Sequence, residues 1–310
     1  MTAPSGDLIV DNSLWADGNP RLSVLIPFLG DDPVQLINEL AAQSDAIEIV
    51  LLDDGGQDAE LAVRVTEAVA ALAVPARLVR LAANAGRARG RNRLAAEARS
   101  PWLLFLDADM LPDAPDFITR WLKAIEGDDP AVAFGGFSFQ RTPPRREHAL
   151  HRAMAMRSDC LPAEVRARDP AKHVFTSNLL VRRDVFEAVA FDNRFTGWGW
   201  EDVEWAMRVA ERWTIHHPEI PASHLGLDSA PTLVRKYQQS AANFARVIEQ
   251  HPQVVSRYAS YRVARSIRRL PARGLLRTVA RYLALSDLAP VKLRAFSMRL
   301  YRAALYAEVV

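Results

Sequence analysis

The sequence holds one cysteine, Cys160, in 310 residues. A single thiol cannot close an internal disulfide, so the fold must rest on its core, and a reducing compartment is expected. No apolar run approaches the roughly 18–20 residues a membrane-spanning helix needs. The opening stretch MTAPSGDLIVDNSLWADGNPR lacks a basic region followed by an apolar run, so no secretory leader is expected. These absences point to a soluble or peripheral, cytoplasmic protein. Also missing are G-x-G-x-x-G after the first strand and G-x-x-x-x-G-K-[ST] anywhere, which counts against dinucleotide dehydrogenases and P-loop enzymes. There is no internal repeat and no low-complexity tract.

What is present is 49% hydrophobic and 25% charged, enough for one large domain or a domain with an appendage. The net charge of +2 hides an asymmetry. Residues 253–310 carry 12 Lys/Arg against 2 Asp/Glu, while the rest of the chain carries 27 against 35. Such a split implies two surfaces with different partners.

The first third alternates strands and helices. LSVLIPF (22–28), IEIVLLD (47–53), ARLVRL (76–81) and WLLFLD (102–107) are short, apolar and bounded by polar residues. Helical patterns lie between and after them, near 32–43, 57–73, 86–99 and 115–126. This alternation predicts an α/β fold with a parallel sheet covered on both faces. VAFGGFSF (132–139) reads as one further strand. Residues 140–173 read as loop with short helix, TSNLLVRRDVF as strand into helix, and GWGWEDVEWAMR as an aromatic loop opening a helix near Glu201. From about Thr232 the pattern is helical, with breaks near Pro271 and Pro290.

Parallel α/β sheets bind ligands beyond the carboxyl ends of their strands. There the sequence reads PFLGDD, DDGGQD, NAGRARGRNR and DADM. Asp107 and Asp109 lie two apart in an extended segment, on one side. Such acids can hold Mg²⁺ or Mn²⁺, or one can hold the ion and the other a sugar hydroxyl. Asp53 and Asp54, before Gly55 and Gly56, can accept hydrogen bonds from a nucleotide ring or ribose. Arg87, Arg89 and Arg91 open a helix whose N-terminus already favours anions, and can face a diphosphate. Helical geometry leaves at least one of the three in solvent. Trp198 and Trp200, beside glycines, offer flat faces to a sugar. Glu201 or Asp202 can act as general base toward a hydroxyl. Each feature alone also reads as a cap or a solvated turn. His224 is a candidate metal ligand, with His216 and His217 competing for the role.

Together these segments, from about Arg21 to Leu227, resemble the family 2 glycosyltransferases with the GT-A fold. The resemblance implies a nucleotide-binding βαβ half with a mostly parallel central sheet, followed by a C-terminal helical extension. The corresponding boundaries are 1–230 for the glycosyltransferase domain and 231–310 for the basic extension. By the same resemblance Asp54 contacts the nucleotide base, over a floor formed by Pro27 and its neighbour Phe28. Arg91 is similar to the arginine of a G-x-x-x-A-R-N segment, with Gly90 where alanine is usual. Asp107 and Asp109 look like a D-x-D motif with Asp109 the direct metal ligand, and Asn178 lies where the donor-sugar pocket forms. The W-G-W-E-D segment is similar to the W-G-G-E-D of galactosyl- and N-acetylgalactosaminyltransferases. It makes Asp202 the base and Glu201 an acceptor contact, with Trp200 a departure. His224 resembles a distal histidine that completes the metal shell.

The implied activity is metal-dependent, inverting transfer from a nucleotide sugar to a glycan or lipid-linked hydroxyl. The donor is UDP-linked by family frequency, and the cofactor is Mn²⁺ or Mg²⁺. Two other classes compete: a nucleotide-sugar-binding scaffold without activity, against which the intact acids count, and a nucleotidyltransferase, which would need a glycine- and lysine/arginine-rich loop near the first strand. The basic tail mixes arginine with apolar residues at helical spacing. It reads either as a helix set lying on the inner, anionic membrane surface or as an appendage packed on the catalytic domain. No nucleic-acid-binding module is present, so nucleic acid is not an expected partner.

Overall fold

The computed structural model describes residues 6–310. They fall into two compact units. The first comprises residues up to Thr142, Leu161–Asn193 and Trp205–Gly226. The second comprises Pro143–Cys160, Arg194–Glu204 and Leu227–Val310.

The first unit is built on an eight-stranded sheet with strand order β1-β4-β3-β2-β5-β9-β7-β10. Its strands are β1 (Leu8–Asp11), β2 (Leu22–Phe28), β3 (Ile47–Asp53), β4 (Ala76–Arg80), β5 (Trp102–Leu106), β7 (Val132–Phe134), β9 (Asn178–Arg182) and β10 (Ile215–His216). A small second sheet, in order β6-β11-β8, joins β6 (Met110–Pro112), β8 (Phe137–Ser138) and β11 (Ala222–His224). The helices here are α1 (Val34–Ala41), α2 (Ala59–Ala71), α3 (Arg87–Glu97), α4 (Phe117–Asp128), α6 (Ala163–Arg166) and α7 (Arg183–Ala188).

The continuous apolar strands are explained by burial on both faces. On β3, Ile47, Ile49 and Leu51 enter one core with Leu36, Val65 and Trp121. Val50 and Leu52 point the other way, into a second core with Leu94, Phe186 and Trp205. This is the period-2 alternation of a strand between two helical layers.

The sheet is mixed, however. β2 pairs in parallel with β3 and β5, and β3 with β4, but β9 runs antiparallel to both β5 and β7, and β1 antiparallel to β4. The four strands read from the sequence pair in parallel and the sheet is mostly parallel, as expected, while the antiparallel direction of β1 and β9 could not be read because apolar runs do not encode strand direction. Nor is VAFGGFSF one strand. It breaks at Gly135–Gly136 into β7 and β8, which belong to different sheets. Gly136 has φ +100°, and a Cβ on Gly135 would strike Ile220 O, the Asn178 amide and Trp121.

The second unit is helical: α5 (Ala149–Ser158), α9 (Ala230–Gln250), α10 (Pro252–Val255), α11 (Ala259–Arg268), α12 (Arg273–Leu285) and α13 (Val291–Tyr306). Helix α8 (Glu201–Ala210) has its first turn in this unit. Ser229 caps α9 by accepting from Thr232 N, with Pro231 in the first turn. Pro271 and Pro290 fall in the breaks around α12, as the ring's missing N–H requires. α13 buries Met298, Tyr301 and Ala304, so much of the basic tail is packed helix. Among the described residues no helix is long and apolar enough to cross a membrane.

Candidate functional site

In the first unit, polar residues gather where β2, β3 and β5 end. Asp54 follows β3. Its backbone N–H donates to Phe28 O at 3.0 Å, and its carboxylate accepts from Ala85 N at 2.7 Å and Gly86 N at 3.1 Å. It therefore fastens the loop that opens α3, where Gly86 takes φ +88° as the capping residue. Burial pushes the Asp54 carboxyl above its usual range, against the pull of the two N–H donors. Pro27 is half-buried beside the buried Phe28. Asp53 helps to hold the turn after β3. It is buried, accepts from Gly56 N at 2.7 Å and pairs with Arg80 at 3.3 Å.

One turn into α3, the buried Arg91 guanidinium meets Asp107 at 2.7 Å, and the more exposed Arg87 lies 3.9 Å from the other Asp107 oxygen. Asp107 thus faces two cations while still partly open to solvent. Asp109 takes a different partner: its Oδ2 lies 3.1 Å from His224 Nε2. The small sheet makes this possible, because antiparallel β6 and β11 place His224 opposite Met110. Gly226 completes the approach, since a Cβ there would collide with the Asp109 carboxylate. The sequence reading missed Gly226. Its only signal was a glycine two residues beyond a candidate histidine.

Among the described residues no group of three or more His, Cys, Asp or Glu side chains is assembled for a metal. The donors that do converge, a carboxylate oxygen and an imidazole nitrogen at partly exposed positions, suit Mn²⁺ or Mg²⁺. Such ions commonly leave remaining coordination positions to water and substrate phosphate. The pair and its glycine-made space fit a divalent ion with Asp109 and His224 as its protein ligands.

The competing histidines are differently engaged. His216 is exposed on β10. His217 faces Phe134 edge-on, with Nδ1 3.4 Å from Arg166 Nε and Nε2 3.1 Å from Pro170 O. Burial first, then the neighbouring Arg166, lowers its pKa from 6.5 to about 4. The unfolded chain therefore protonates His217 near pH 6.5 while the native state resists to about pH 4. The stability from the neutral ring is complete above pH 6.5 and is lost as pH falls through about 4. Calorimetric melting midpoints are expected to fall across that window, and His217→Asn should flatten the fall. An unchanged slope in the variant would place the acid sensitivity elsewhere.

Asn178 begins β9. It is fully buried, and its amide donates to Gly136 O at 3.0 Å and Ile220 O at 2.8 Å. It latches the β7–β8 break through these two bonds.

In the second unit, the loop Gly197–Trp200 leads into α8. Gly197, Gly199 and Trp200 have φ of +69°, +90° and +77°. Trp200 is therefore strained, by about 1–3 kcal/mol for such a conformation. Its indole N–H donates to Tyr306 Oη at 3.0 Å, and its ring lies 4.7 Å from Phe244, which stacks on Tyr306 at 4.2 Å. Asn243 donates to Thr196 O and Gly199 O, each at 2.9 Å. Trp200 thus packs against α9 and α13. Trp198 is half-buried, edge-on to Tyr237 at 5.8 Å. At the first turn of α8 Glu201 is buried and Asp202 partly exposed, so of the two acids Asp202 is the accessible one. Spacing alone could not separate adjacent acids, and burial does.

Comparison with known proteins adds the following. The model of the family Glycosyl transferase family 2 matches residues 23–190, more than half of the chain. No curated protein matches the sequence. Among solved structures, a mannosyltransferase from Pyrobaculum calidifontis in complex with GDP-Man and Mn²⁺ is similar, with TM-score 0.57 and 17% identity, over 96% of this chain and 89% of that one. TarS of S. aureus (residues 1–349) with UDP-GlcNAc is similar at TM-score 0.51 and 15% identity, over 91% of this chain and 89% of that one. At such identities the likeness is one of fold.

Proposed function

The chain belongs to glycosyl transferase family 2, and on that premise we propose that it is a metal-dependent, inverting hexosyltransferase. The donor is a nucleotide sugar and the acceptor a hydroxyl of a glycan or lipid-linked molecule. The observation that carries this reading is the pairing at the strand ends: Arg91 with Asp107, and Asp109 with His224. It is supported by the fold likeness to one enzyme bound to GDP-Man and another bound to UDP-GlcNAc. UDP is placed first for its frequency in the family, and the W-G-x-E-D resemblance favours a hexose or N-acetylhexosamine.

Each residue has a physical task. Arg91 and Arg87, at the N-terminus of α3, hold the nucleoside diphosphate by charge and donated hydrogen bonds. Asp109 and His224 would hold the divalent ion, which supplies positive charge against the departing diphosphate. Asp54 fixes the Ala85–Gly86 loop that presents α3. Asp202 takes the proton of the acceptor hydroxyl as it attacks, a single displacement that inverts the anomeric centre. Trp198 would flank the acceptor. Residues 1–230 are assigned to the glycosyltransferase domain, and 231–310 to the basic extension and a peripheral site on the inner membrane face.

The test is a panel of UDP-, GDP- and dTDP-sugars with Mn²⁺ or Mg²⁺, following slow donor hydrolysis without acceptor. Release of one nucleoside diphosphate that stops on chelation is expected. No turnover of any donor, together with no metal-assisted nucleoside diphosphate binding, would sink the reading in favour of an unrelated use of the fold.

A further inference from the structure

Helix α12 carries two apolar faces. Ala280 and Ala284 are buried on its inner side, and α11 and α13 contribute Ile267, Ala303, Ala304 and Ala307 to a small core with partly buried Leu276. On the outer side Leu275, Val279 and Tyr282 recur at i, i+4 and i+7 and are 67%, 46% and 73% exposed. Leu288, in the turn that follows, is 97% exposed. A helix whose packing is already satisfied has no folding reason to present a second apolar stripe. Beside the stripe lies a cleft of about 670 Å³, walled in part by Arg277, Thr278, Arg281, Leu285 and Ser286. Tyr282 belongs to both stripe and cleft. Arg277 is paired with Glu308, whereas Arg281 has no carboxylate within ion-pair range among the described residues.

We propose that α12 and the turn after it dock on an anionic lipid bilayer. Leu275, Val279, Tyr282 and Leu288 enter the interfacial layer, while Arg281 and Arg277, in the cleft, take a lipid phosphate. The charge is complementary: residues 253–310 hold 12 Lys/Arg and only 2 Asp/Glu. That same excess opposes a second copy of this face as the partner, because an isologous contact would set like charges against each other. A polyanion such as nucleic acid would use the arginines and leave the outward leucines unexplained. Lipid uses both features at once. The proposal deepens the lipid-linked-acceptor reading above, and it is read by binding alone, so its failure is separable from failure of glycosyl transfer.

The test is flotation of the full chain with phosphatidylcholine vesicles, with and without phosphatidylglycerol. The protein is expected to float with the anionic vesicles. Leu275→Ser/Tyr282→Ser, which leaves the charge of the face unchanged, should lower partitioning at least about tenfold. Arg277→Gln/Arg281→Gln should lower it by about fivefold per arginine and erase the preference for phosphatidylglycerol. Tyr282→Trp should tighten binding, an outcome no misfolded protein gives. Circular-dichroism melts check that the exposed substitutions leave the fold intact. The proposal is overturned if the wild type stays unbound with both vesicle types. It is equally overturned if the Leu275/Tyr282 double variant, folded, floats like the wild type, as a purely electrostatic polyanion site would.

Discussion

Asp202→Asn is expected to lower donor turnover by about 10²–10⁴-fold, the usual contribution of a positioned general base, with nucleoside diphosphate affinity and melting temperature nearly unchanged. Asn keeps the shape and cannot accept the proton. Asp202 is partly exposed at the first turn of α8, so the isosteric exchange leaves the core unchanged. The paired measurement is kcat for donor hydrolysis and calorimetric binding of UDP or GDP. A fall in kcat with constant KM supports the base. A variant that turns over donor like the wild type moves the proton acceptor to another residue. Glu201→Gln is the control. Glu201 is buried, so its loss should appear mainly in stability, by about 1–3 kcal/mol, the penalty for disturbing a buried polar group.

Asp109→Ala should abolish metal-assisted uptake of nucleoside diphosphate, weakening it by at least about 100-fold. Removing even an outer partner of a metal ligand commonly costs 10–100-fold, and here one of two protein donors is lost. The readout is titration of Mn²⁺ with UDP or GDP by calorimetry, which needs no acceptor and no turnover. Gly226→Ala makes the same test from the opposite side. It leaves every candidate ligand in place but puts a Cβ where the Asp109 carboxylate stands. The carboxylate must swing away, so metal-assisted binding should fall in this variant as well. If both variants bind Mn²⁺ and nucleotide like the wild type, Asp109 and His224 are a structural pair and the metal assignment fails.

The strands β2 and β3 were legible to the residue, since unbroken apolar runs bounded by polar turns leave one solution. The polar ends of those strands were equally legible, because a parallel α/β layout sends them to one edge. The roles on that edge were not. Asp53 and Asp54 are neighbours of one type, yet Asp53 closes a turn onto Gly56 and Arg80 while Asp54 ties down the start of α3. Asp107 and Asp109 divide similarly, one to arginines and the other to His224. Adjacent or alternate residues differ in which distant segment meets them, and sequence spacing carries no record of that.

The aromatic loop shows the same limit. G-W-G-W suggested flat faces for a sugar, and nothing in it signals that Trp200 is held in a left-handed conformation against Phe244 and Tyr306, the latter more than a hundred positions along the chain. By itself the sequence determined the alternation of elements, the acid- and arginine-rich strand ends and the charge excess of the tail, because these follow from local pattern and composition. Only the tertiary structure decided that β9 runs antiparallel, that Gly226 makes space for Asp109, that Asn178 is a latch, and that α12 keeps an apolar face in solvent. Those outcomes depend on contacts between segments far apart in the chain, and on which surface is left over once the cores have packed.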